Sequence, residues 1–464
     1  MQTKYLMSGT AFFAAFFVAA TSTAGEVSWW LSAEDGSASL TPQPALELKA
    51  EAPASKTTIA IDPERRYQPV LGMGASLEHA TAYNLSKLGD EKRRQTIKSI
   101  VDPDVGIGMN LMRVCIGTSD FVGEPYYSYN DMPDGETDPE LEHFSIERDF
   151  EYVIPAIKIA LELNPDLLIY ASPWSAPGWM KSGGKMEGGR LLPEWYDAFA
   201  RYTVKFIQAY EAEGIPIHAV TPQNEPAYAN PHYPTTFFRP DDLNAYVRDH
   251  LGPRIKEAGL DTEIWCWDHN YNRLNYPRAH LSDPVTMEYV DGVAFHFYEG
   301  EVEAMTELHN EFPDVPIYFT EGSTFYTRGA IKIIDMFRNW SRSYNAWVII
   351  LDEHRKPNRG PHIASPTPIV LNDDLSLEYR FDYYMYGQFM KFVERGAVRI
   401  ESGPGGKHFS HVAFQNPGGD IVLVVANAGR DGEAFTVTGP GGAFASSIGP
   451  REVATYRWGH DPAQ

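Results

Sequence analysis

Between Gln68 and about Asp352, eight short apolar runs alternate with longer amphipathic stretches. The runs are Val70-Leu-Gly-Met-Gly-Ala, Asn110-Leu-Met-Arg-Val-Cys-Ile, Leu167-Leu-Ile-Tyr-Ala-Ser and Ile217-His-Ala-Val-Thr, then Glu263-Ile-Trp-Cys-Trp-Asp, Gly292-Val-Ala-Phe-His-Phe, Ile317-Tyr-Phe-Thr-Glu and Ala346-Trp-Val-Ile-Ile-Leu. Apolar runs this short and continuous read as parallel strands buried on both faces. The stretches Glu147 to Leu163, Glu194 to Ala212 and Pro240 to Ala258 carry apolar residues at three- and four-residue spacing, the period of a helix with one buried face. Eight such alternations predict an α/β chain closed as a (β/α)8 barrel.

The period changes beyond Gly396. Short alternating runs follow, Ala397-Val-Arg-Ile, His411-Val-Ala-Phe-Gln, Ile421-Val-Leu-Val-Val-Ala and Ala434-Phe-Thr-Val-Thr, broken by Pro-Gly, Gly-Gly and Asp-Gly turns. They predict a flanking antiparallel β-sandwich. Near the N-terminus, Val27-Ser-Trp-Trp-Leu and Thr57-Thr-Ile-Ala-Ile61 read as strands with a Pro- and Ala-rich stretch between them, too few to fold alone. They are expected to complete the C-terminal sandwich, so that both chain ends build it. The division is then 1–24 leader, 25–67 first sandwich strands, 68–395 barrel and 396–464 the rest of the sandwich.

Composition narrows the function. The 464 residues, 43% hydrophobic and 13% aromatic, suffice for a barrel and an accessory domain. Met1-Gln-Thr-Lys4, the apolar run Ala11 to Ala20 and the small residues Thr21-Ser-Thr-Ala24 follow the order of a secretory signal, with cleavage expected after Ala24 and a secreted or periplasmic product. The apolar run is short for a bilayer span, so no stable membrane insertion is expected after cleavage. The net charge of −23 argues against nucleic acid or an anionic membrane as the main partner, whereas a neutral sugar is indifferent to it. Cys115 and Cys266 each sit inside an apolar run and read as buried free thiols.

Chemistry enters at two strand ends. Glu225 in Thr221-Pro-Gln-Asn-Glu-Pro follows the fourth run, and Glu321 ends the seventh. Barrel enzymes keep their reacting groups at the C-terminal ends of strands. Two carboxyl groups across a small pocket are what glycosidic cleavage needs, one to protonate the leaving oxygen and one to attack the sugar carbon or activate water. Glu225 is assigned as acid/base, with Asn224 beside it to donate to a sugar hydroxyl. Glu321 is assigned as nucleophile and as the more acidic of the two, with Tyr298 a candidate partner. Trp174, Trp179, Tyr298 and Trp347 are rings of the type that stack on sugar faces, Trp174 foremost because it follows the third strand. Arg113, inside the second strand, needs a carboxylate and is expected to orient Glu321 or Glu225. No Cys/His spacing suits structural zinc, and no cofactor is called for. A metal-dependent hydrolase using Asp268, His269 and His296, or a silent carbohydrate-binding protein, are the rival readings.

Taken together, Gly72-Met-Gly-Ala, Met112-Arg-Val, Ala171-Ser-Pro-Trp-Ser-Ala-Pro-Gly-Trp-Met-Lys, Gln223-Asn-Glu-Pro, Trp267-Asp-His-Asn, Phe295-His-Phe-Tyr, Phe319-Thr-Glu and Gly360-Pro-His resemble glycoside hydrolase family 30, the family of glucosylceramidases. The resemblance implies a retaining mechanism with Glu225 as acid/base and Glu321 as nucleophile. It also implies sugar contacts from Trp174, Asn224, Tyr298 and Trp347, with Arg113 and Asp268 supporting the site. Expected substrates are glucosylceramide-type or simple β-glucosides first, a β-1,6-glucan next, and β-xylosides or β-fucosides after these. Where glucosylceramidase-like members carry a sugar-holding Asp after the first strand, this chain reads Ser76-Leu-Glu-His-Ala80. That places His79 at the Asp and Glu78 beside it, and both are expected at the sugar. Val348 stands where the family commonly has Asn, and the loop from Asp352 to Pro361 is long enough to line a subsite.

Overall fold

A computed structural model of the chain describes residues 25–51 and 55–459, so the predicted leader lies outside the described residues. The eight predicted runs form eight parallel strands: β1 Gly72–Ser76, β2 Leu111–Ile116, β3 Leu168–Pro173, β4 Ile217–Val220, β5 Glu263–Asn270, β6 Gly292–His296, β7 Ile317–Glu321 and β8 Ser343–Val348. Their order in the sheet is β7-β6-β5-β4-β3-β2-β1-β8. The ring closes between β7 and β8 through a bridge from Ile317 to Ser341 and a bond from Arg342 N–H to the Ile317 carbonyl at 2.7 Å. In β1 a side chain on Gly74 would place its Cβ 1.8 Å from the Leu111 carbonyl oxygen. Only glycine admits this approach of β1 to β2.

Strands buried on both faces send alternate side chains inward, and those side chains stack in layers. Leu111, Tyr170, Ala219, Trp265, Ala294 and Tyr318 form the lower layer, with the rings of Trp265 and Tyr318 stacked at 4.0 Å. One step further along each strand the inward residues are polar, and these build the floor of the site.

The sandwich uses both chain ends, as expected. Its larger sheet has seven strands in the spatial order Thr41–Glu47, Glu26–Ala33, Glu452–Trp458, Ile421–Asn427, Phe409–Gln415, Val398–Glu401 and Asp62–Pro69. The smaller has three, Gly442–Ile448, Glu433–Gly439 and Thr57–Ala60, the last pair parallel rather than antiparallel. Ile421, Leu423 and Val425 face the small sheet, while Val422, Val424 and Ala426 face the barrel's helices. Both faces are therefore buried, which is why that strand reads as an unbroken apolar run. The Pro- and Ala-rich stretch near the N-terminus, read from sequence as a connection, contains the strand Thr41–Glu47. Pro42 and Pro44 are tolerated because the strand lies at the sheet edge, with Glu26–Ala33 on one side only.

Candidate active site

The polar layer above Trp265 centres on Arg113, which is completely buried. Its guanidinium donates to Ser172 Oγ at 3.1 Å, to Asn224 Oδ1 at 2.9 Å, to Asp268 Oδ2 at 2.7 Å and to Glu321 Oε2. Burial lowers its pKa, but Asp268 and Glu321 more than offset this and raise it above the ordinary value. Asp268, equally buried, also accepts from Ser172, Thr221 and Thr320 hydroxyls at 2.9, 2.7 and 2.7 Å and from His296 Nε2 at 3.0 Å. A bulge aims it there: pairing of β5 with β6 passes from Trp267 to His269, and Trp267 and Asp268 carry φ of 77° and 61°. The extra residue turns the Asp268 side chain into the barrel.

Both glutamates stand on this floor. The loop after β4 is pinned to its neighbours, Asn224 N–H to the Pro173 carbonyl at 2.8 Å and Glu225 N–H to the Asp268 carbonyl at 3.0 Å. Glu225 is held at φ 49°, a strained left-handed conformation for a side-chain-bearing residue, and strain of this kind collects at functional sites. Its Oε1 meets His296 Nδ1 at 3.2 Å and His269 Nε2 at 3.7 Å. Glu321 accepts from Arg113 and, at 3.0 Å, from the Tyr298 hydroxyl. Oxygens of Glu225 and Glu321 lie within 4.8 Å of each other and of a His296 ring nitrogen.

The cavity over this pair is about 470 Å³. Trp174, Asn224, Tyr298 and Trp347 all line it. Trp174 and Trp347 stack on each other at 4.8 Å, and the Arg113 guanidinium lies 4.6 Å from the Trp174 ring centre. With its oxygen committed to Arg113, the Asn224 amide offers its NH2 to the cavity.

Electrostatics depart from the sequence-based expectation. Burial raises the Glu225 carboxyl, but the His296 hydrogen bond and the charges of His269 and His296 outweigh it and hold Glu225 below its ordinary value. Burial raises Glu321 too, and there His296 and Arg113 do not fully compensate, so it stays above its ordinary value. The predicted order of acidities is thus reversed in the substrate-free site. The physical reason is His296: burial pulls its pKa down, yet the charges of Glu321 and Asp268 and its bonds to Asp268 and Glu225 raise it to about 9. Its positive charge sits in hydrogen-bond contact with Glu225.

Five of the predicted site residues, two of them expected as supports, do not line this cavity. Arg113 and Asp268 lie beneath the cavity rather than on its wall, their polar atoms turned to the two glutamates' support. Glu78 caps the helix His79–Ser86, taking the N–H of Thr81 at 2.9 Å, that of Ala80, and the Thr81 hydroxyl at 2.8 Å. Helix N-termini leave such N–H groups unpaired, and this carboxylate is consumed by them. His79, 2% exposed, is turned away from the cavity, its ring against Tyr127 and Tyr152 and its Nε2 on the Tyr127 hydroxyl. Trp179 lines a neighbouring cavity.

Sequence reasoning missed Asp120. It follows β2 in Thr118-Ser-Asp-Phe121, lines the cavity, and is raised to about 8 by burial and by the charge of Glu321. The signal that found Glu225 and Glu321, a carboxylate just past a barrel strand, also marks this residue. Of the rival metal set, Asp268 and His269 do not join His296; the groups close enough to share an ion are, among the described residues, Glu225, His296 and Glu321, and a surface set of Glu353, His354 and Asp373.

Comparison with known proteins settles the family. Residues 70–393 match the glycosyl hydrolase family 30 TIM-barrel domain, and residues 396–456 match the glycosyl hydrolase family 30 beta sandwich domain. The chain belongs to glycosyl hydrolase family 30. An endo-1,6-beta-D-glucanase of Neurospora crassa is 33% identical over 399 residues, 80% of this chain and 81% of the relative. A putative glucosylceramidase 4 of Caenorhabditis elegans is 31% identical over 377 residues, 75% of this chain and 72% of the relative. Among solved structures, the endo-beta1,6-glucanase BT3312 superposes with a TM-score of 0.85 at 28% identity, covering 94% of this chain and 100% of that one. As a family 30 glycosidase the protein is an enzyme, and the two free, buried cysteines play no cross-linking part in it.

Proposed function

We propose that the protein is an exported, retaining endo-β-1,6-glucanase. The observation that carries the mechanism is the closeness of the glutamates: an oxygen of one lies within 4.8 Å of an oxygen of the other, which fits the roughly 5–5.5 Å spacing of retaining pairs rather than the roughly 6.5–9.5 Å of inverting ones, and so supports direct attack by a carboxylate. Glu321 is the nucleophile, since the Arg113 ion pair and the Tyr298 hydroxyl fix its orientation. Glu225 is the acid/base. The proton it delivers is drawn from His296, whose Nδ1 is 3.2 Å away and whose charge the surrounding carboxylates maintain. Once Glu321 carries the sugar its negative charge is gone, and Glu225 then takes a proton from the incoming water.

The sugar preference is read from the side of the cavity where the leaving group departs. Tyr228, 36% exposed, lies one tight turn past Glu225, its N–H on the Glu225 carbonyl at 2.9 Å. Asn272, Arg273 and Glu299 line the same cavity, with Asn272 Nδ2 donating to Glu299 at 2.6 Å. An aromatic face among polar groups suits a sugar leaving group better than a lipid chain, and this puts β-1,6-glucan ahead of glucosylceramide. The names of the relatives agree with that order. Export rests on the N-terminal sequence; among the described residues no helix is long and apolar enough to cross a membrane.

Product analysis tests the proposal. Early-time NMR on β-1,6-glucan is expected to show the β anomer first, with oligosaccharides of several lengths. An α product rejects double displacement, and faster turnover of glucosylceramide than of the glucan rejects the substrate.

Asp120 gives a second test. Burial favours the neutral form of Asp120, but two adjacent sugar hydroxyls donating to the carboxyl favour its ionised form, which can accept from both. Asp120→Ala is expected to reduce kcat/KM on an aryl β-glucoside by about 10- to 100-fold, the scale of hydrogen bonds to a charged group at about 1.5–3 kcal/mol. A loss under twofold would remove Asp120 from the sugar.

A further inference from the structure

The motif that begins at Ala171 ends in Lys181, a residue the mechanism leaves unused. Lys181 stands in the loop after β3 and is 3% exposed. Its side-chain nitrogen donates to Ser175 Oγ at 2.8 Å, to the Met186 carbonyl at 2.6 Å and to the Thr235 carbonyl at 2.6 Å. None of these three oxygens is charged. Burial lowers the pKa of Lys181 to about 7, with Glu187 opposing the shift and Lys185 adding to it. An ammonium buried without an ionic partner is costly, and an apolar side chain would fill the same space at less cost. What only the ammonium supplies is three donors at one point.

Two of those donors hold the loop after β3 together, and the third crosses to the loop after β4. There the Thr235 hydroxyl takes the N–H of Gly188 at 3.2 Å and that of Asn230 at 2.8 Å, and donates to the Asn230 carbonyl at 3.1 Å. Backbone bonds run alongside, Thr235 N–H to the Met186 carbonyl at 3.3 Å and Phe237 N–H to the Gly189 carbonyl at 2.9 Å. Buried Asn230 carries the chain of bonds onward, its Nδ2 donating to the Tyr228 hydroxyl at 2.9 Å. Phe238 N–H closes the neck of the loop on the Pro226 carbonyl at 2.8 Å. Tyr228 and Tyr233, both on this loop, line the catalytic cavity. A contiguous set of hydrogen bonds thus runs from Lys181 to the phenol that stands one turn past the acid/base.

We propose that Lys181 is a positioning residue for the leaving group: by clamping the loop after β4 to the loop after β3, it holds Tyr228 and Tyr233 as the wall on which the departing sugar rests. The proposal rests on the glucanase reading, in which the leaving group is a sugar on the Tyr228 side, and adds what keeps that wall in place. Lys181 touches no reacting group. The bonds that hold Glu225 and Glu321 come from Asp268, His296, Arg113 and Tyr298.

The test compares two substrates of the full enzyme at about pH 6, where Lys181 is protonated. The leaving group of β-1,6-glucan is a sugar that lies on the Tyr228 wall, whereas the fluoride of β-glucosyl fluoride is too small to use it. Both are read as kcat/KM, so the wall's contribution is isolated in their ratio. Lys181→Met is expected to lower kcat/KM on the glucan about 10- to 100-fold, the scale of a misplaced binding group, and on the fluoride by less than about twofold. Thr235→Val cuts the same clamp without removing a buried charge, and should show the same split if Lys181→Met fails to fold. Equal losses on the two substrates, or no loss on either, in a folded variant overturn the proposal. Wild type that hydrolyses the fluoride but no β-1,6-glucan rejects the glucanase reading instead, and the same ratio taken with an aryl β-glucoside in place of the glucan then decides the role of Lys181.

Discussion

Glu321→Ala is expected to lose activity on β-glucan on the order of 10⁴-fold or more, the scale of removing the nucleophile from a covalent enzyme. Added azide should restore part of the turnover and yield an α-glycosyl azide, because the anion fills the vacated space and attacks the sugar once, from the nucleophile's face. Glu225→Ala should behave differently. Loss of acid/base assistance costs about 10²- to 10⁴-fold for poor leaving groups, while activated aryl glycosides still glycosylate Glu321. Azide should then trap the glycosyl-enzyme and give a β-glycosyl azide. The configuration of the two azide adducts, read by NMR, separates the roles where rates alone would not. β-azide from Glu321→Ala would exchange the assignments of Glu225 and Glu321. That outcome has a specific motive to be sought, since in the substrate-free site Glu225 lies below its ordinary pKa and Glu321 above it. The geometry favours the assignment made, because a carboxylate fixed by Arg113 cannot readily hold a proton for the leaving group.

The barrel was legible because its strands are buried on both faces, and burial on both faces writes itself as an apolar run. The sandwich strand Thr41–Glu47 was not, since an edge strand needs few apolar residues and can carry Pro42 and Pro44. Glu225, Glu321, Asn224, Trp174, Tyr298 and Trp347 were legible for one reason: each stands at or just past the end of a barrel strand, and all six line one cavity. His79 and Glu78 follow β1 in the same manner and yet miss the cavity. The first turn of the helix His79–Ser86 needs a cap, Glu78 supplies it, and the backbone that this cap requires turns His79 toward Tyr127. Capping chemistry competes with ligand binding for the same residue types, and one sequence alone does not say which prevails. Asp120 shows the converse. It lies four residues past β2, on a loop held by paired bonds between Thr118 and Tyr127, and although it stands as near its strand as Glu225 does to β4, no motif like Asn-Glu-Pro surrounds it to single it out. The acidity of Glu225 was beyond sequence for a further reason, because it depends on His296, a residue 71 positions away that only the closed barrel sets beside it.

Asp268→Asn tests that dependence and is expected to damage both activity and stability. The substitution keeps the shape of the side chain but removes the anion that Arg113 and His296 share in a fully buried layer. Loss of one partner from a buried ion pair costs about 3–5 kcal/mol, because the remaining charge stays desolvated. Activity on β-glucan should fall roughly 10²- to 10³-fold, since Arg113 then leans on Glu321 alone and a smaller fraction of His296 carries the proton that Glu225 draws on. The pH dependence carries the distinguishing sign. His296 is raised from 6.5 to about 9 in the folded protein, so the stability it contributes is fully present below pH 6.5 and is lost as pH climbs through about 9. Without Asp268 one of the charges that raise it is gone, so its folded value should drop and the alkaline loss should shrink. Thermal unfolding from pH 6 to 10 should therefore show wild type falling steeply between 6.5 and 9, and Asp268→Asn starting lower and falling less. Parallel curves with equal slopes would mean that Asp268 does not sustain the charge on His296, and the route by which Glu225 is supplied with its proton would have to be drawn elsewhere.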